Sequence, residues 1–281
     1  MIRRALFVWK GLVVSAALAA PAAAPPPQGY LQLGGPDPAE GRAILEQFRA
    51  AGPERPYFLE FVLKQLPRRG SEWTVPGRLW GSRNARGSVM RIELDPVGPG
   101  GGRRLILQNG PDAAVWLYEP ARPAAAPRRI DGLEPLAPGV EISAFDLQMP
   151  FLYWPGSRLL GTERIRGRPA HLFVFSPPQH SEEGLGGVRA YLDTQYRAPV
   201  QVELLDPSGQ PRTTLSLVDL KKVSEQWIPK DIDVRNEASR DKTRFSVTGA
   251  ALGLDLLPEL FAPATLPEAV SPPPGAQIER F

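Results

Sequence analysis

The sequence predicts an α+β protein that is mostly antiparallel sheet, with about ten or eleven strands, one early helix and one short apolar break. Three observations predict it. From residue 57 onward, apolar side chains recur at every second position in short segments, the period of a strand with one buried face. The segments are joined by turn signals such as Asp206-Pro207-Ser208-Gly209, so consecutive strands read as hairpins and pair antiparallel. Only residues 38–51 combine a helical period with start and stop signals. Periodicity by itself allows a closed barrel or a sandwich equally well.

The N-terminus reads as a secretory leader over residues 1–24. Arg3 and Arg4 form a basic start, 11–20 is an apolar core, and small residues follow, with cleavage expected after Ala22 or Ala24. That apolar core is shorter than the ~20 residues a bilayer-spanning helix needs. There is no cysteine, hence no lipid-anchoring cysteine, disulfide or thiolate metal site. The leader carries three basic residues and no acid, so its removal brings the formal charge from +3 to about zero. A near-neutral exported chain is a poor nucleic-acid binder, and no such partner is expected. With 27 glycines and 33 prolines, 60 of 281 residues, the chain falls below the roughly 25–30% of low-complexity sequence and reads as globular.

Residues 25–36 are a Pro/Gly-rich spacer. Asp37 caps the helix 38–51, Pro38 takes its first position, Glu40 completes a capping box, and Gly52-Pro53 stop it. Ile44, Leu45 and Phe48 make one apolar stripe. Tyr57, Leu59, Phe61 and Leu63 then share one strand face, while Phe58 and Val62 make the other partly apolar. Strands follow at 73–83, at 88–94 with Met90, Ile92 and Leu94 inward, and at 104–108 and 113–118 around Asn109-Gly110. Residues 120–139 hold five prolines and read as a long connection. Further strands are expected at 159–166, 171–175, 188–193, 200–205, 213–222, 227–236 and 242–248. Residues 256–261 read as a docking segment. The domain spans 37–262, and 263–281 is a proline-rich tail.

Residues 145–154 are the densest apolar run outside the leader: Phe145, Leu147, Met149, Phe151, Leu152, Tyr153 and Trp154. Pro150 and Pro155 cut it, so neither a long helix nor a central strand fits, and Ser143 is placed to cap one short turn over 144–148. A bulky apolar patch on broken backbone is covered either by the sheet or by a ligand. The block DLQMPFLYW…GTERIRGRPAHLF, continuing to Phe261, resembles the outer-membrane lipoprotein-sorting proteins, the lipoprotein-carrier-like family of the bacterial periplasm. The resemblance implies an incompletely closed, strongly curved sheet, a half-barrel, with helical and loop plugs on its concave side. It also implies a hydrophobic cavity for acyl chains, with Phe145, Met149, Phe151, Leu152, Tyr153, Trp154, Trp80, Trp116 and Phe173 as its lining or lid. Carriers of this kind use an arginine at the cavity mouth. Arg78, Arg91 and Arg164 are the candidates, and the resemblance does not choose among them. Residues 64–104 carry nine basic residues against three acids, which marks a basic face.

Signals for catalysis are thin. His171 and His180 have no acidic partner at ligand spacing, and His171 sits in an apolar strand as a structural histidine would. No Gly-x-Ser-x-Gly elbow exists, residues 98–102 lack the ending of a phosphate loop, and Glu182-Glu183 and Asp231/Asp233 sit in a loop and on a wet face. No catalytic residue, metal or cofactor is expected. The expected function is a monomeric periplasmic carrier that shields acyl chains of lipid or lipoprotein and delivers them towards the outer membrane. An inner-membrane donor and an outer-membrane acceptor are implied partners, with only transient membrane contact. The alternatives are a regulatory lipid- or lipoprotein-sensing module and a non-enzymatic accessory protein of an envelope complex.

Overall fold

The computed structural model describes residues 36–53, 55–96, 101–178, 184–196 and 198–281. The expected leader and nearly all of the spacer lie outside the described residues, as do His180 and Glu182-Glu183. Helix α1 (Pro38–Ala50) forms where its signals put it. The Asp37 carboxylate accepts from the Ala39 N–H at 2.8 Å, Pro38 sits in the first turn, and the chain leaves through Gly52 at φ 104°.

The strands form two antiparallel meanders. One comprises β1 (Tyr57–Leu66), β2 (Trp73–Asn84), β3 (Gly87–Leu94), β4 (Arg103–Gln108), β5 (Ala114–Tyr118) and β6 (Arg128–Ile130). The other comprises β7 (Gly156–Ile165), β8 (Arg168–Ser176), β9 (Gly187–Asp193), β10 (Pro199–Leu205), β11 (Pro211–Val223), β12 (Gln226–Asn236) and β13 (Lys242–Leu252). Pairing of β1 with β13 joins them, so the sheet runs from β6 to β1 and on from β13 to β7. The edge strands β6 and β7 do not pair with each other, and the sheet is a curved half-barrel open along that seam. A two-residue β14 (Glu279–Arg280) pairs with β13 beyond the reach of β12. The strand total exceeds the expected ten or eleven mainly through β6 and β14, which are too short to show an alternation.

The two faces differ in what covers them. On the inner face Leu59, Leu79, Ile92, Leu105 and Leu117 are successive cross-strand neighbours, and Phe173, Ala190, Val202, Leu215 and Val234 continue the layer in the other meander. Leu45 and Phe48 of α1 pack into this core. The sheet leaves room for its aromatics: a Cβ on Gly77 would stand 2.4 Å from the Phe61 ring, and one on Gly81 only 2.1 Å from that of Tyr57.

On the outer face the row Phe58, Trp80, Arg91, Ile106 and Trp116 is roofed by residues 254–281, whose Phe261 and Leu266 are buried against it. Leu254–Phe281 thus returns across the outer face as a strap. The outer face of β10 to β13 stays wet, and Asp233 there is held by Arg244 at 2.6 Å and Lys242 at 3.0 Å. Six of the nine basic residues in the stretch 64–104 are engaged within the fold. Lys64 pairs with Glu72, Arg78 with Glu93 and Asp95, and Arg103 with Glu134, while Arg83, Arg91 and Arg104 donate to backbone carbonyls. No helix among the described residues is long and apolar enough to cross a membrane.

Candidate functional site

The chain that leaves β6 at one edge must reach β7 at the other: residues 131–143 cross by way of β4 and β13, where Arg103 donates to the Pro135 carbonyl at 2.9 Å and the Glu141 N–H donates to Thr243 at 2.7 Å, and residues 144–155 lead on to β7. Helix α2 (Ala144–Gln148) is the first part of the crossing's apolar end. Its start is set by a reciprocal cap: the Ser143 N–H and hydroxyl donate to the Asp146 carboxylate at 2.8 and 2.6 Å, and the Asp146 N–H donates back to the hydroxyl. Met149 then takes a left-handed conformation, φ 52°, and Pro150 opens a 3-10 turn, Pro150–Tyr153. The two prolines do what their geometry requires, splitting the run into two short helical pieces before Pro155 leads into β7.

This plug is apolar on its inner side. Phe145 and Phe151 are 1% exposed, and Leu152 and Trp154 are also buried. Their rings form a chain onto β8: Phe145 lies 5.9 Å from Trp154 and 6.0 Å from Phe151, Phe151 lies 5.0 Å from Phe175, and Phe175 lies 5.8 Å from Phe173. Two polar attachments hold it. The Gln148 amide donates to the carbonyls of Gln108 at 2.8 Å and Ala114 at 3.1 Å, and the Asn109 amide donates to the Gln148 carbonyl. At the other end Arg49, in the last turn of α1, donates through Nε to the Leu152 carbonyl at 2.7 Å and lies 5.4 Å over the Tyr153 ring. Arg83 steadies that turn by donating to the carbonyls of Arg49 and Ala51, both at 3.1 Å.

Beside the plug is a cavity of about 620 Å³, lined by Phe145, Gln148, Pro150 and Trp154 on the plug side, by Val115 and Ile130 on the sheet side, and by Arg86 and Arg129 among its polar walls. Asp146 is wholly buried, and that burial pushes its carboxyl up to about 6 against the hydrogen bonds from Ser143 and the field of Arg212. Burial also lowers His171, against the field of Glu40, so it is neutral at pH 7. No group of His, Asp and Glu side chains suited to a metal ion occurs among the described residues.

The expected lining is divided by the sheet. Phe145, Met149, Phe151, Leu152, Tyr153, Trp154 and Phe173 come together on the inner side. Trp80 does not join them: it is buried on the outer face, 5.2 Å from Phe58. Trp116 packs on that outer cluster and also lines the cavity beside the plug. Arg78 lies on the outer face between Glu60 and Glu93. Arg91 is fully buried there: it pairs with Glu93 at 2.9 Å and donates to Leu260, Thr265 and Glu268 of the strap. Arg164 sits exposed near the β7–β8 turn. The arginines at the plug are Arg49, Arg86 and Arg129. Arg49 carried only the signal of a basic residue in a last helical turn, which a helix favours on its own account.

A family model described as “-like: Uncharacterized protein” matches residues 94–268, more than half of the chain. No curated protein matches. Solved structures share the fold at low identity. A protein domain from Vibrio parahaemolyticus, named for outer membrane lipoprotein sorting, has 18% identity and a TM-score of 0.71, over 82% of this chain and 99% of that one. A DUF1329 family protein from Desulfovibrio piger has 15% identity and a TM-score of 0.70, over 81% and 98%. A LolA superfamily protein from Nitrosomonas europaea has 15% identity and a TM-score of 0.61, over 79% and 97%. The chain belongs to the family that this model defines, and its fold is the LolA-like half-barrel.

Proposed function

We propose that the protein is a non-enzymatic periplasmic carrier that takes acyl chains of lipid or lipoprotein into the inner side of the half-barrel and delivers them towards the outer membrane. The observation that carries this reading is the plug. Bulky apolar side chains fill the seam of an open sheet on broken backbone, fastened at one end by a single arginine latch and bordered by a cavity. The Vibrio neighbour named for lipoprotein sorting supports the reading by fold.

Magnitudes decide how such a plug works. Exposing Phe145, Phe151, Leu152 and Trp154 to water costs roughly 6–12 kcal/mol, so the plug does not open into solvent on its own. An acyl chain of about fourteen methylenes contributes about 11 kcal/mol on burial, enough to replace those contacts. Cargo and plug therefore compete for the same inner face, and the Arg49 latch favours the empty, closed state. Removing the latch shifts the balance to the loaded state. A hydrogen bond from a charged donor is worth about 1.5–3 kcal/mol, so Arg49→Ala should bind a fluorescent fatty acid at least about tenfold tighter than the wild type. Titration of the probe, with mass spectrometry of lipid extracted from the purified protein, tests this. No extracted lipid together with no probe binding contradicts it.

A further inference from the structure

We propose that the tips of three neighbouring hairpins form a docking face for the surface of a bilayer containing anionic phospholipid. The turns β7–β8, β9–β10 and β11–β12 lie at one end of the sheet, because alternate turns of a meander share an end. Of the five large hydrophobic residues that stand exposed among the described residues, three gather here: Trp227 at 53%, Val218 at 44% and Tyr196 at 38%. Such clustering is unusual for a wet surface and marks contact with something less polar. Trp227 and Tyr196 meet edge to face at 6.0 Å, and Arg168 lies 5.2 Å over the Tyr196 ring. Together with Arg166 they border a recess of about 400 Å³ whose floor includes Leu217 and Val218.

The chemistry fits a lipid surface. Indole and phenol rings favour the level of the headgroups, where one end is dry and the other wet. Guanidinium groups beside them suit phosphate oxygens. Arg166 donates to the Leu217 carbonyl at 3.5 Å, and Arg168 pairs with Asp193 at 3.6 Å. Lys222 stands directly across from Trp227, where it also meets Glu225, and Lys230 lies 3.8 Å from Asp219. The acids leave the cationic excess small, so the aromatic and apolar contact carries docking and the arginines select anionic lipid. The face is on a different part of the sheet from the plug, and it rests on the carrier reading only for its purpose.

The test uses the full chain without cargo. Binding is measured by flotation with phosphatidylcholine vesicles made with and without phosphatidylglycerol. The wild type should float with both vesicle types, and about fivefold more strongly with the anionic ones. Each cation at an anionic surface contributes about fivefold to binding, so Arg166→Glu should lose at least that factor. Trp227→Ser should weaken binding to both vesicle types. Leu257→Ser, at a 75% exposed leucine on the strap, should change nothing. All three positions are exposed, and circular dichroism verifies the fold. A wild type that stays off the vesicles, or Trp227→Ser and Arg166→Glu variants that bind as it does, overturns the proposal. So does full competition by a soluble short-chain phosphatidylglycerol, which would make the recess a site for free lipid. Fatty-acid binding read on the same variants keeps this failure separate from failure of the carrier reading.

Discussion

Asp146 and Arg49 hold opposite ends of one plug, and they answer to different conditions. The Asp146 carboxyl titrates near 6 because it is buried. An acid whose folded value lies above its free value stabilises the folded form most when protonated. Its contribution is complete below about pH 4 and is lost as the pH rises to about 6, by roughly 3 kcal/mol. The plug should therefore be held more firmly at pH 5 than at pH 7.5. Hydrogen exchange of the α2 amides checks this, and Asp146→Asn should remove the dependence. A plug equally protected at both values contradicts it. The local cap was legible in the sequence, since Ser143 stands three residues before Asp146. The latch was not. Arg49 is one of many arginines, and only the fold brings residue 152 back over the end of α1. Arg91 was legible as a charge but not as a buried one, because the strap that covers it lies about 170 residues further on.

Among the elements, the strands with clean alternation were read with small boundary differences, and the turn over 144–148 and the break at Pro150 were read from the cap and the proline, while the 3-10 turn Pro150–Tyr153 was not. The alternation and the break are local effects of side-chain period and missing N–H groups. The strap was not readable in this way. Residues 254–281 have no period, and their place on the outer face depends on Arg91, Arg104 and Glu93, whose reach across the sheet no local pattern encodes. The same contacts explain why Trp80 lies away from the cavity: an alternation says that a residue shares a face, not what covers it. Arg91 should consequently be a stability residue rather than a binding one. Arg91→Ala leaves Glu93 and three strap carbonyls without their buried donor, a change that costs about 3–5 kcal/mol. Urea unfolding should show that loss, while fatty-acid affinity of the folded fraction stays within about twofold. A large affinity loss with unchanged stability would return Arg91 to the cavity mouth.

At the scale of the whole molecule, an antiparallel meander predicts sheet but not closure. The open seam follows from β6, three residues long, and from β7, which lies at the far end of the strand order. Nothing in residues 128–130 announces an edge, and only the family resemblance anticipated the half-barrel. On the proposed carrier function, α1 and the plug close this seam and must move for cargo to enter. A lock tests it directly. A Cβ at Gly41 stands 3.2 Å from the Leu159 Cβ, near the separation of about 3.5–4.5 Å in disulfides, and the chain has no cysteine of its own. In Gly41→Cys/Leu159→Cys the oxidised protein holds α1 against β7. Fatty-acid uptake should fall at least tenfold on oxidation and return on reduction, with the strand signal unchanged. Equal uptake by the oxidised and reduced forms would mean that the apolar stretch is permanent core and that cargo, if any, binds elsewhere.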